Sequence, residues 1–383
     1  MKYIICDITG RTINYDVALC DAIYRELPKC TDLRFWSSGL SETHPYAVHK
    51  FHSVVPKKKK TKSNKSVRIL KAFDSIFAYI WIILYFLFKK VRVFHLQWFP
   101  FLSLGLSGSI IDISFIKLLR FISPKTKYVF TIHNVCPHGM KQEDLIAYNK
   151  VFSKALNLFD DYVVHTESTK KYVVSMLGLN ANDVHVIYHG IFAPNNYKFA
   201  PNILAKNKLK IIMYGFQSYY KGTDILLKAL SLVDNAYKDK LEVIICGAFS
   251  DDYYKECKSI ITGVSIKWIP RFVPDVELYD NINASNIIVL PYRKISQSGV
   301  LLLALSTRRY IITSNLPSFK ETLKGFPDNT FFKSEDAADF ARVINDYCAG
   351  KIDFETILHS IDDLNILYSW RQSAIKTIKL YQI

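Results

Sequence analysis

The stretch that decides the fold runs from Ile211 to Leu230 and reads IIMYGFQSYYKGTDILLKAL. Its apolar run Ile211–Tyr214 predicts a short buried strand that ends at Gly215. A polar loop containing Lys221 follows, and the residues from Thr223 onward predict an apolar helix. A strand, a short loop and a helix in this order are typical of the βαβ units of a parallel sheet.

The same alternation extends in both directions along the chain. In the second half, strands are expected at Lys208–Tyr214, Leu241–Cys246, Ser265–Trp268, Ile287–Leu290 and Tyr310–Thr313. In the first half they are expected at Lys2–Asp7, Asp32–Trp36, Val91–Trp98, Lys127–Ile132, Tyr162–His165 and Val184–Tyr188. Helical segments lie between most of these strands. The pattern predicts an α/β protein with two Rossmann-like, doubly wound domains that face each other across a cleft.

The length of 383 residues also fits two domains. A loop rich in proline and asparagine, Phe192–Ala205, separates the two blocks and predicts a linker. We therefore expect an N-terminal domain over 1–195 and a C-terminal domain over 206–365, with a closing helix over 366–383. In such sheets, ligands bind beyond the carboxyl ends of the strands.

Composition narrows the classes of function. Hydrophobic residues make up 50% of the chain, which excludes a disordered protein. The net charge of +16 suits nucleic acid, an anionic membrane or phosphorylated small molecules. No nucleic-acid-binding motif appears, and the basic run KKKKTKSNK has no aromatic residues within it. The 7 cysteines form no C-x-x-C pair, which disfavours a disulfide framework or a zinc site and fits reduced thiols in the cytosol.

The loop after Ile211–Tyr214 supplies the first candidate site. Lys221 stands at the carboxyl end of the predicted strand, with Gly215 and Ser218 before it. A cation in this place is a suitable clamp for a diphosphate. The alternative is a lysine in an ordinary solvated loop, and the spacing leaves both interpretations open.

A second candidate lies in NIIVLPYRKISQSGVLLLALS, residues 286–306. A predicted strand runs into a loop, and Ser298 is a plausible N-cap for the apolar helix that follows. The N–H groups of Gly299, Val300 and Leu301 would then form an anion site made of backbone. An ordinary capped core helix fits the same residues.

A third candidate is YVFTIHNVCPHG, residues 128–139, where a predicted strand delivers His133 to its carboxyl end and His138 follows in the loop. His95, His165 and His189 also lie at or near strand ends. They come from separate strands and lack metal-binding spacing, so we expect no metal. A structural role for each histidine is the alternative.

Taken together, these segments resemble glycosyltransferase family 4, whose fold is called GT-B. The resemblance covers nearly the whole chain and is carried by TIHNVCPHG, DDYVVHTES, VIYHGIF, YGFQSYYKG, NASNIIVLPYRKISQSGVLLLAL and the closing YSWRQSAIKTIKLY. It implies a retaining transfer from a nucleotide-sugar, with no metal, no other cofactor and no separate covalent nucleophile.

The resemblance also implies roles for individual residues. The catalytic residues would be His133 and Lys221. The donor-binding residues would be Gly215, Ser218, Arg271, Phe272, Ser296, Gln297, Ser298, Gly299 and Val300. Candidate contacts of the acceptor or of the transferred sugar are Gly10, Arg11, His138, His165 and His189.

The chain departs from the family pattern in its donor site. The glutamates that usually flank the turn are replaced near Ser296–Gln297 and near Leu303–Ala304, and the second of them normally holds the ribose. The arginine that usually precedes the lysine is missing from Phe216–Ser218. Arg293 and Arg271 are the candidate substitutes.

The function expected from the resemblance is transfer of a sugar from a UDP- or GDP-sugar to a lipid-linked saccharide in bacterial surface polysaccharide synthesis. The alternatives are a non-catalytic basic protein that binds membrane or nucleic acid, and another GT-B enzyme such as a nucleotide-sugar epimerase or a phosphorylase. An epimerase would need bases on both sides of the sugar, and the sequence does not show them.

Two neighbouring segments predict peripheral attachment to an anionic membrane at the cytoplasmic face. One is the basic run Lys57–Lys65, and the other is Ser75–Phe88, which is apolar all round a helix. No stretch reaches the ~20 apolar residues of a spanning helix. The alternatives are a solvated basic loop and a buried core helix.

Overall fold

The computed structural model describes residues 1–39, 43–51, 65–102, 108–135, 142–192, 197–202, 208–295 and 298–382. The chain divides into two compact units. The first comprises Met1–Gly190 and Ser369–Ile383, and the second comprises Ile191–Tyr368.

The first unit contains a parallel sheet of seven strands. They are β1 (Lys2–Asp7), β2 (Asp32–Ser37), β3 (Ala47–Lys50), β4 (Val93–Leu96), β5 (Lys127–Thr131), β6 (Asp161–Val164) and β7 (Val184–Val186), in the spatial order β3-β2-β1-β4-β5-β6-β7. The helices between them are α1 (Ile13–Glu26), α2 (Lys65–Phe88), α3 (Ser109–Ile122), α4 (Gln142–Leu156) and α5 (Glu167–Leu177). The strands β1 and β4 are buried almost throughout, as expected for a sheet covered on both faces.

The second unit repeats this architecture with six parallel strands. They are β8 (Leu209–Tyr214), β9 (Leu241–Cys246), β10 (Ser265–Ile269), β11 (Ile287–Leu290), β12 (Tyr310–Ser314) and β13 (Phe331–Phe332), in the order β10-β9-β8-β11-β12-β13. Its helices are α6 (Thr223–Leu232), α7 (Asn235–Lys238), α8 (Asp251–Lys258), α9 (Asp275–Asn283), α10 (Gly299–Ser306), α11 (Pro317–Thr322), α12 (Ala337–Cys348) and α13 (Phe354–Leu367). The last helix, α14 (Trp370–Gln382), belongs to the first unit and packs along α1.

In each sheet the strand order reverses beside the first strand of the unit. β1 pairs with β2 on one side and β4 on the other, and β8 pairs with β9 and β11. Loops that leave the two sides of such a point diverge and open a crevice at the carboxyl edge of the sheet. The two doubly wound, Rossmann-like sheets predicted from the sequence are therefore confirmed.

Several elements were not predicted from the sequence, among them β3, α3, β13 and α13. β3 is an edge strand with largely exposed residues, so it lacks the apolar run that marks the central strands. The predicted strand Val91–Trp98 is shorter in the structure, because Gln97 and Trp98 turn into the loop after β4. Of the predicted linker, residues 193–196 and 203–205 lie outside the described residues, and Tyr197 donates to Asp280 of the second unit.

Helix α2 is apolar on its buried face and also on its exposed face. One face, with Ala78, Tyr79, Ile82 and Phe86, belongs to the core of the first unit. The opposite face exposes large apolar residues at helical spacing: Phe73, Phe77, Ile80, Leu84 and Leu87. Within the described residues, Leu70–Phe88 is long and apolar enough to cross a membrane by length and composition alone, with 28% of that window buried in the protein. This finding differs from the expectation that no stretch of the sequence reaches the length of a spanning helix.

Candidate functional site

The carboxyl end of β8 builds the candidate site of the second unit. The chain leaves the strand through Gly215, whose φ of +93° favours glycine. A Cβ atom at this position would lie 2.8 Å from the Nζ atom of Lys221 and 3.4 Å from the Cγ2 atom of Val300. The structure therefore brings together three of the predicted donor-site residues. A side chain at position 215 would fill the space in front of the lysine ammonium.

Lys221 ends a single 3-10 turn, Tyr219–Lys221, and is only 6% exposed. Gly222 follows at φ +75°, and a Cβ there would lie 2.0 Å from the carbonyl oxygen of Pro291, so the close approach of the two loops requires glycine. No hydrogen bond or ion pair of the Lys221 ammonium occurs within the described part of the chain, and the nearest π face is Tyr292, at 5.5 Å. Burial lowers the pKa of Lys221 from 10.5 to about 8.

The start of α10 faces the same space. Ser298 caps the helix as predicted, and its hydroxyl accepts the N–H of Leu301. That N–H is therefore occupied, which corrects the expectation that Leu301 also contributes to an anion site. The N–H groups of Gly299 and Val300, at the positive end of the helix dipole, remain for an anion. Ser296 and Gln297 lie outside the described residues.

Gln217 has a structural role that the sequence pattern did not reveal. Its side chain is fully buried and its Nε2 atom donates to the carbonyl oxygens of Gly215 and Cys246, at 2.9 and 3.1 Å. The hydroxyl of Thr223 donates to Gln217 Oε1 at 2.8 Å. This amide fixes the loop from both ends. The Oγ atom of the neighbouring Ser218 is buried and has no hydrogen-bond partner in the part of the chain that the structure describes. A glutamine two residues after the strand-end Gly215 was the signal in the sequence.

Arg293 is not available to replace the missing arginine of the family. Its guanidinium makes a two-pronged ion pair with the buried carboxylate of Asp224, at 3.0 and 2.7 Å, and stacks on the ring of Tyr219. Burial raises the pKa of Asp224, but the hydrogen bonds from Arg293 and Tyr253 outweigh it and lower the pKa overall. We conclude that Arg293 braces the loop against α6.

The loop that contains Arg271 and Phe272, two of the predicted donor-binding residues, follows β10. Arg271 forms a two-pronged ion pair with Glu277 on α9, at 3.0 and 2.6 Å, and its side chain is largely exposed. Phe272 is 77% exposed. Arg271 therefore lies at the surface in an ion pair that water screens, and Phe272 presents a free aromatic face.

In the first unit, predicted site residues meet at the carboxyl edge of the sheet. His133 follows β5 and stacks on Trp98, which follows β4, with ring centroids 5.1 Å apart. The guanidinium of Arg11 lies 5.3 Å from the Trp98 ring. His165 and His189 follow β6 and β7, and the ring of Tyr15 contacts all three histidines.

These histidines are neutral in the folded protein. Burial lowers the pKa of His133 well below its usual value, and the neighbouring histidines add to the effect. Burial also lowers the pKa of His165 to about 4 and that of His189 to about 3. His165 Nδ1–H donates to the carbonyl oxygen of Ile187 at 2.9 Å, and His165 Nε2 lies 3.3 Å from His133 Nδ1.

The remaining candidates of the first unit divide into three cases. His95 is a core residue, since its ring nitrogens contact the hydroxyls of Tyr381 and Thr131 at 2.6 and 2.7 Å. The N–H of Gly10 donates to the carboxylate of Asp7 at 3.0 Å, so that loop directs its N–H inward. His138 lies outside the described residues.

Across the described ranges, no group of three or more histidine, cysteine, aspartate or glutamate side chains is placed to hold a metal ion. The six cysteines within those ranges are free thiols. The chemistry available at the two carboxyl edges is therefore that of a buried cation, helix N–H groups and neutral imidazoles.

Two family models match the chain. The model for Glycosyltransferase Family 4 matches residues 48–192, and the model for Glycosyl transferases group 1 matches residues 208–349. Together they cover about three quarters of the sequence. No curated protein matches the chain significantly in sequence.

Solved structures share the fold over the full chain. The structure of Alr3699/HepE from Anabaena, in complex with UDP and glucose, has a TM-score of 0.65 at 16% identity, with 100% of each chain covered. Sucrose-phosphate synthase from Thermosynechococcus elongatus has a TM-score of 0.71 at 12% identity, covering 100% of this chain and 98% of that one. The apo form of the lipopolysaccharide outer core galactosyltransferase WaaB has a TM-score of 0.62 at 13% identity, covering 99% of this chain and 100% of that one.

The match of each unit to its own family model agrees with the observed order of strands. It also agrees with the placement of Lys221 and the start of α10 at the carboxyl edge of the second sheet. The chain belongs to the family 4 kind of glycosyltransferases with the GT-B fold.

Proposed function

We propose that this glycosyltransferase moves a sugar, with retention of its anomeric configuration, from a UDP- or GDP-sugar to a lipid-linked saccharide. One observation carries the donor assignment: Lys221 is a buried ammonium without a carboxylate partner among the described residues. A buried charge is costly unless a counter-charge meets it. A diphosphate in front of Gly215 would supply that counter-charge.

The chemistry follows from this placement. As the bond between the sugar and the diphosphate breaks, negative charge grows on the leaving phosphate. Lys221 and the N–H groups of Gly299 and Val300 would stabilise that charge in a site that is already oriented for it. These groups supply the neutralisation by themselves, so we expect transfer to need no metal ion. Leu303 offers no hydrogen bond to a ribose, so donor affinity would rest on the phosphates and the base.

Two measurements, of nucleotide binding and of sugar transfer, distinguish this proposal from a non-catalytic function. Thermal denaturation with UDP, GDP and their common sugars should show stabilisation by at least one of them, since ligand at 100-fold its Kd adds about 2.7 kcal/mol. Release of the matching nucleotide in the presence of a lipid-linked saccharide should follow. If no nucleotide shifts the melting temperature, the donor assignment is wrong.

The acceptor is assigned to the first unit. Trp98 offers a partly exposed ring between Arg11 and His133, and the flat face of an indole packs well on the apolar face of a sugar ring. The Arg11 guanidinium beside it suits a phosphate or an acidic sugar. Trp98→Ala should therefore raise the KM for the acceptor and leave the KM for the donor unchanged, and an equal change in both would contradict the assignment.

A lipid-linked acceptor requires the enzyme to work at a membrane, and one surface suits this. We define the α2/α3 face by the exposed apolar residues of the two helices: Phe73, Phe77, Ile80, Leu84 and Leu87 on α2, and Ile110, Ile111, Leu118 and Phe121 on α3. The helices are fixed to each other, because the rings of Tyr79 and Phe115 stack at 3.6 Å and Tyr79 donates to Asp112. Several exposed large apolar side chains on neighbouring helices are typical of an interaction site.

Charge favours an anionic lipid surface as the occupant of the α2/α3 face. The exposed residues Lys71, Lys89, Lys90, Lys117 and Lys125 lie on or next to the two helices. Each lysine near an anionic bilayer contributes ~1 kcal/mol, whereas a second copy of this basic chain would repel the first. Of the basic run Lys57–Lys65, residues 57–64 lie outside the described residues, and the run continues in the chain into α2.

We therefore propose a peripheral enzyme at the cytoplasmic face of a bacterial plasma membrane, in surface polysaccharide synthesis. The lipopolysaccharide core galactosyltransferase among the structural neighbours supports this class of pathway. Co-sedimentation with liposomes should require anionic lipid and weaken at high salt. Phe77→Asp should release the protein, as should glutamate at Lys57–Lys60.

A matched control for Phe77→Asp is Ile261→Asp, because Ile261 is an exposed apolar side chain, 88% exposed, that lies in the second unit and outside the α2/α3 face. This change alters the net charge by the same amount and should leave liposome binding intact. If the parent protein stays in the supernatant with anionic liposomes at low salt, the attachment proposal fails. The donor assignment would stand independently of that result.

A further inference from the structure

The amide of Gln97 has an unusual place beside His133. Gln97 is fully buried just after β4, its backbone N–H donates to Cys6, and its Oε1 atom lies 3.0 Å from His133 Nε2. Its Nε2 atom is buried and has no hydrogen-bond partner among the described residues. A buried NH₂ group without an acceptor is less favourable than a carbonyl oxygen without a donor. The contact with His133 therefore depends on which end of the amide faces the ring.

The positions of the protons on the imidazole rings decide which end of the Gln97 amide faces His133. The carbonyl of Ile187 only accepts, so His165 must carry its proton on Nδ1. A neutral His165 then has a bare Nε2, which accepts from His133 Nδ1–H. If His133 is neutral as well, its Nε2 is also bare and needs a donor. The amide oxygen of Gln97 cannot supply one, but its NH₂ group can.

The alternative is a charged His133 that donates from both nitrogens. The titratable groups around the ring are His165, His189, His95 and Tyr15, and none of them carries a negative charge near neutral pH. No carboxylate forms an ion pair or hydrogen bond with His133 in the part of the chain that the structure describes. Burial without a counter-charge strongly disfavours an imidazolium here.

We propose that Gln97 is a positioning residue of the transferase site: its side-chain NH₂ donates to His133 Nε2, and with His165 accepting from Nδ1–H it fixes His133 as a neutral ring in one tautomer. In this orientation the side-chain amide of Gln97 is rotated by 180° about its Cγ–Cδ bond, so that Nε2 instead of Oε1 faces His133. The rotation exchanges the two atoms and leaves the shape of the amide unchanged. This inference deepens the proposed function, because it concerns the histidine assigned to that site.

The arrangement limits what His133 can do. Both ring nitrogens are engaged by protein groups, so the ring cannot carry a proton to or from a substrate. It acts by its fixed position and by its stacking on Trp98. The pH dependence of turnover should therefore show no ionisation of His133 between pH 5 and 8, the range in which an ordinary histidine titrates.

The test is the protonation state of His133 in the intact enzyme, read from the ring nitrogen resonances linked to the Ile132–Asn134 backbone. The expected spectrum has a protonated Nδ1 and a bare Nε2 throughout pH 5–8. Gln97→Glu places a carboxylate against Nε2 and should raise the pKa of His133 by roughly one to three pH units relative to the parent. His133 of this variant should therefore become protonated at a higher pH than His133 of the parent. Gln97→Met should lower turnover without this change.

His185 serves as an internal control, because it pairs with Asp161 at 2.6 Å and its ring nitrogen resonances should be the same in parent and variants at each pH. A protonated Nε2 or a charged His133 ring in the parent would overturn the proposal, even if Gln97→Glu fails to fold. Turnover in folded Gln97→Met equal to that of the parent would also overturn it. The proposed transfer reaction has separate readouts, so its failure would appear as absent nucleotide binding while the ring spectrum stays as expected.

Discussion

Replacing Lys221 by methionine keeps the length of the side chain and removes its charge. The pKa of Lys221 falls from 10.5 to about 8 in the fold, and the cause is burial. At 1.36 kcal/mol per pKa unit, the charged form is destabilised by about 3 kcal/mol in the unliganded enzyme. The same ammonium should stabilise a diphosphate leaving group, and loss of one such aimed group lowers turnover on the order of 10²- to 10³-fold.

Lys221→Met should therefore raise the stability of the unliganded enzyme and lower its turnover. Below pH 8 the parent lysine is charged in both the folded and the unfolded chain, so the full cost is present. Between pH 8 and 10.5 the unfolded chain binds the extra proton, so parental stability rises with pH. The variant lacks this rise and should be more stable than the parent at pH 7, by up to about 3 kcal/mol.

The assays are urea unfolding at pH 7 and pH 10, thermal shift with UDP or GDP, and steady-state transfer. Lys324→Met is the control, since Lys324 is exposed in the same unit and its loss should change none of the three measurements. Parental turnover in Lys221→Met would refute the phosphate role. A variant less stable than the parent at pH 7 would refute the claim that the ammonium lies buried without a counter-charge.

Further predictions concern other parts of the molecule. His133→Ala should lower turnover on the order of 10²-fold, because the substrate is misplaced, while the melting temperature should change little. Normal transfer by this variant would show that the histidine has only a structural role. Transfer should persist in EDTA, because Lys221 and the start of α10 neutralise the leaving group, and activity that EDTA abolishes and Mn²⁺ restores would contradict this. Burial and the nearby Asp7 raise the pKa of Asp16 well above its usual value. The parent should therefore lose stability as pH rises through that pKa, and Asp16→Asn should show a smaller loss; parallel pH profiles of unfolding would disprove the assignment.

The sequence by itself determined the sheets. Continuous apolar runs such as Ile211–Tyr214 and Ile287–Leu290 are typical of strands that are buried on both faces of a sheet. The helices between these strands allow the strands to run parallel. Parallel strands direct their carboxyl ends to one edge. The placement of Lys221 and His133 beyond strand ends therefore followed from local pattern, and the family resemblance added the assignment to a glycosyltransferase.

Only the tertiary structure decided which polar groups have partners. Arg293 and Asp224 are 69 positions apart, and no local pattern shows that their ion pair removes one cation from the donor site. Nor does a local pattern show that Lys221 has no ion-pair partner among the described residues. The neutral state of His133 likewise depends on burial and on His165, which follows a neighbouring strand. The exposed side of α2 could not be read from its composition, because an all-round apolar helix has the same sequence whether one face or every face is covered. Desolvation and charge pairing arise from contacts between distant segments, and such contacts exist only after the sheets have assembled.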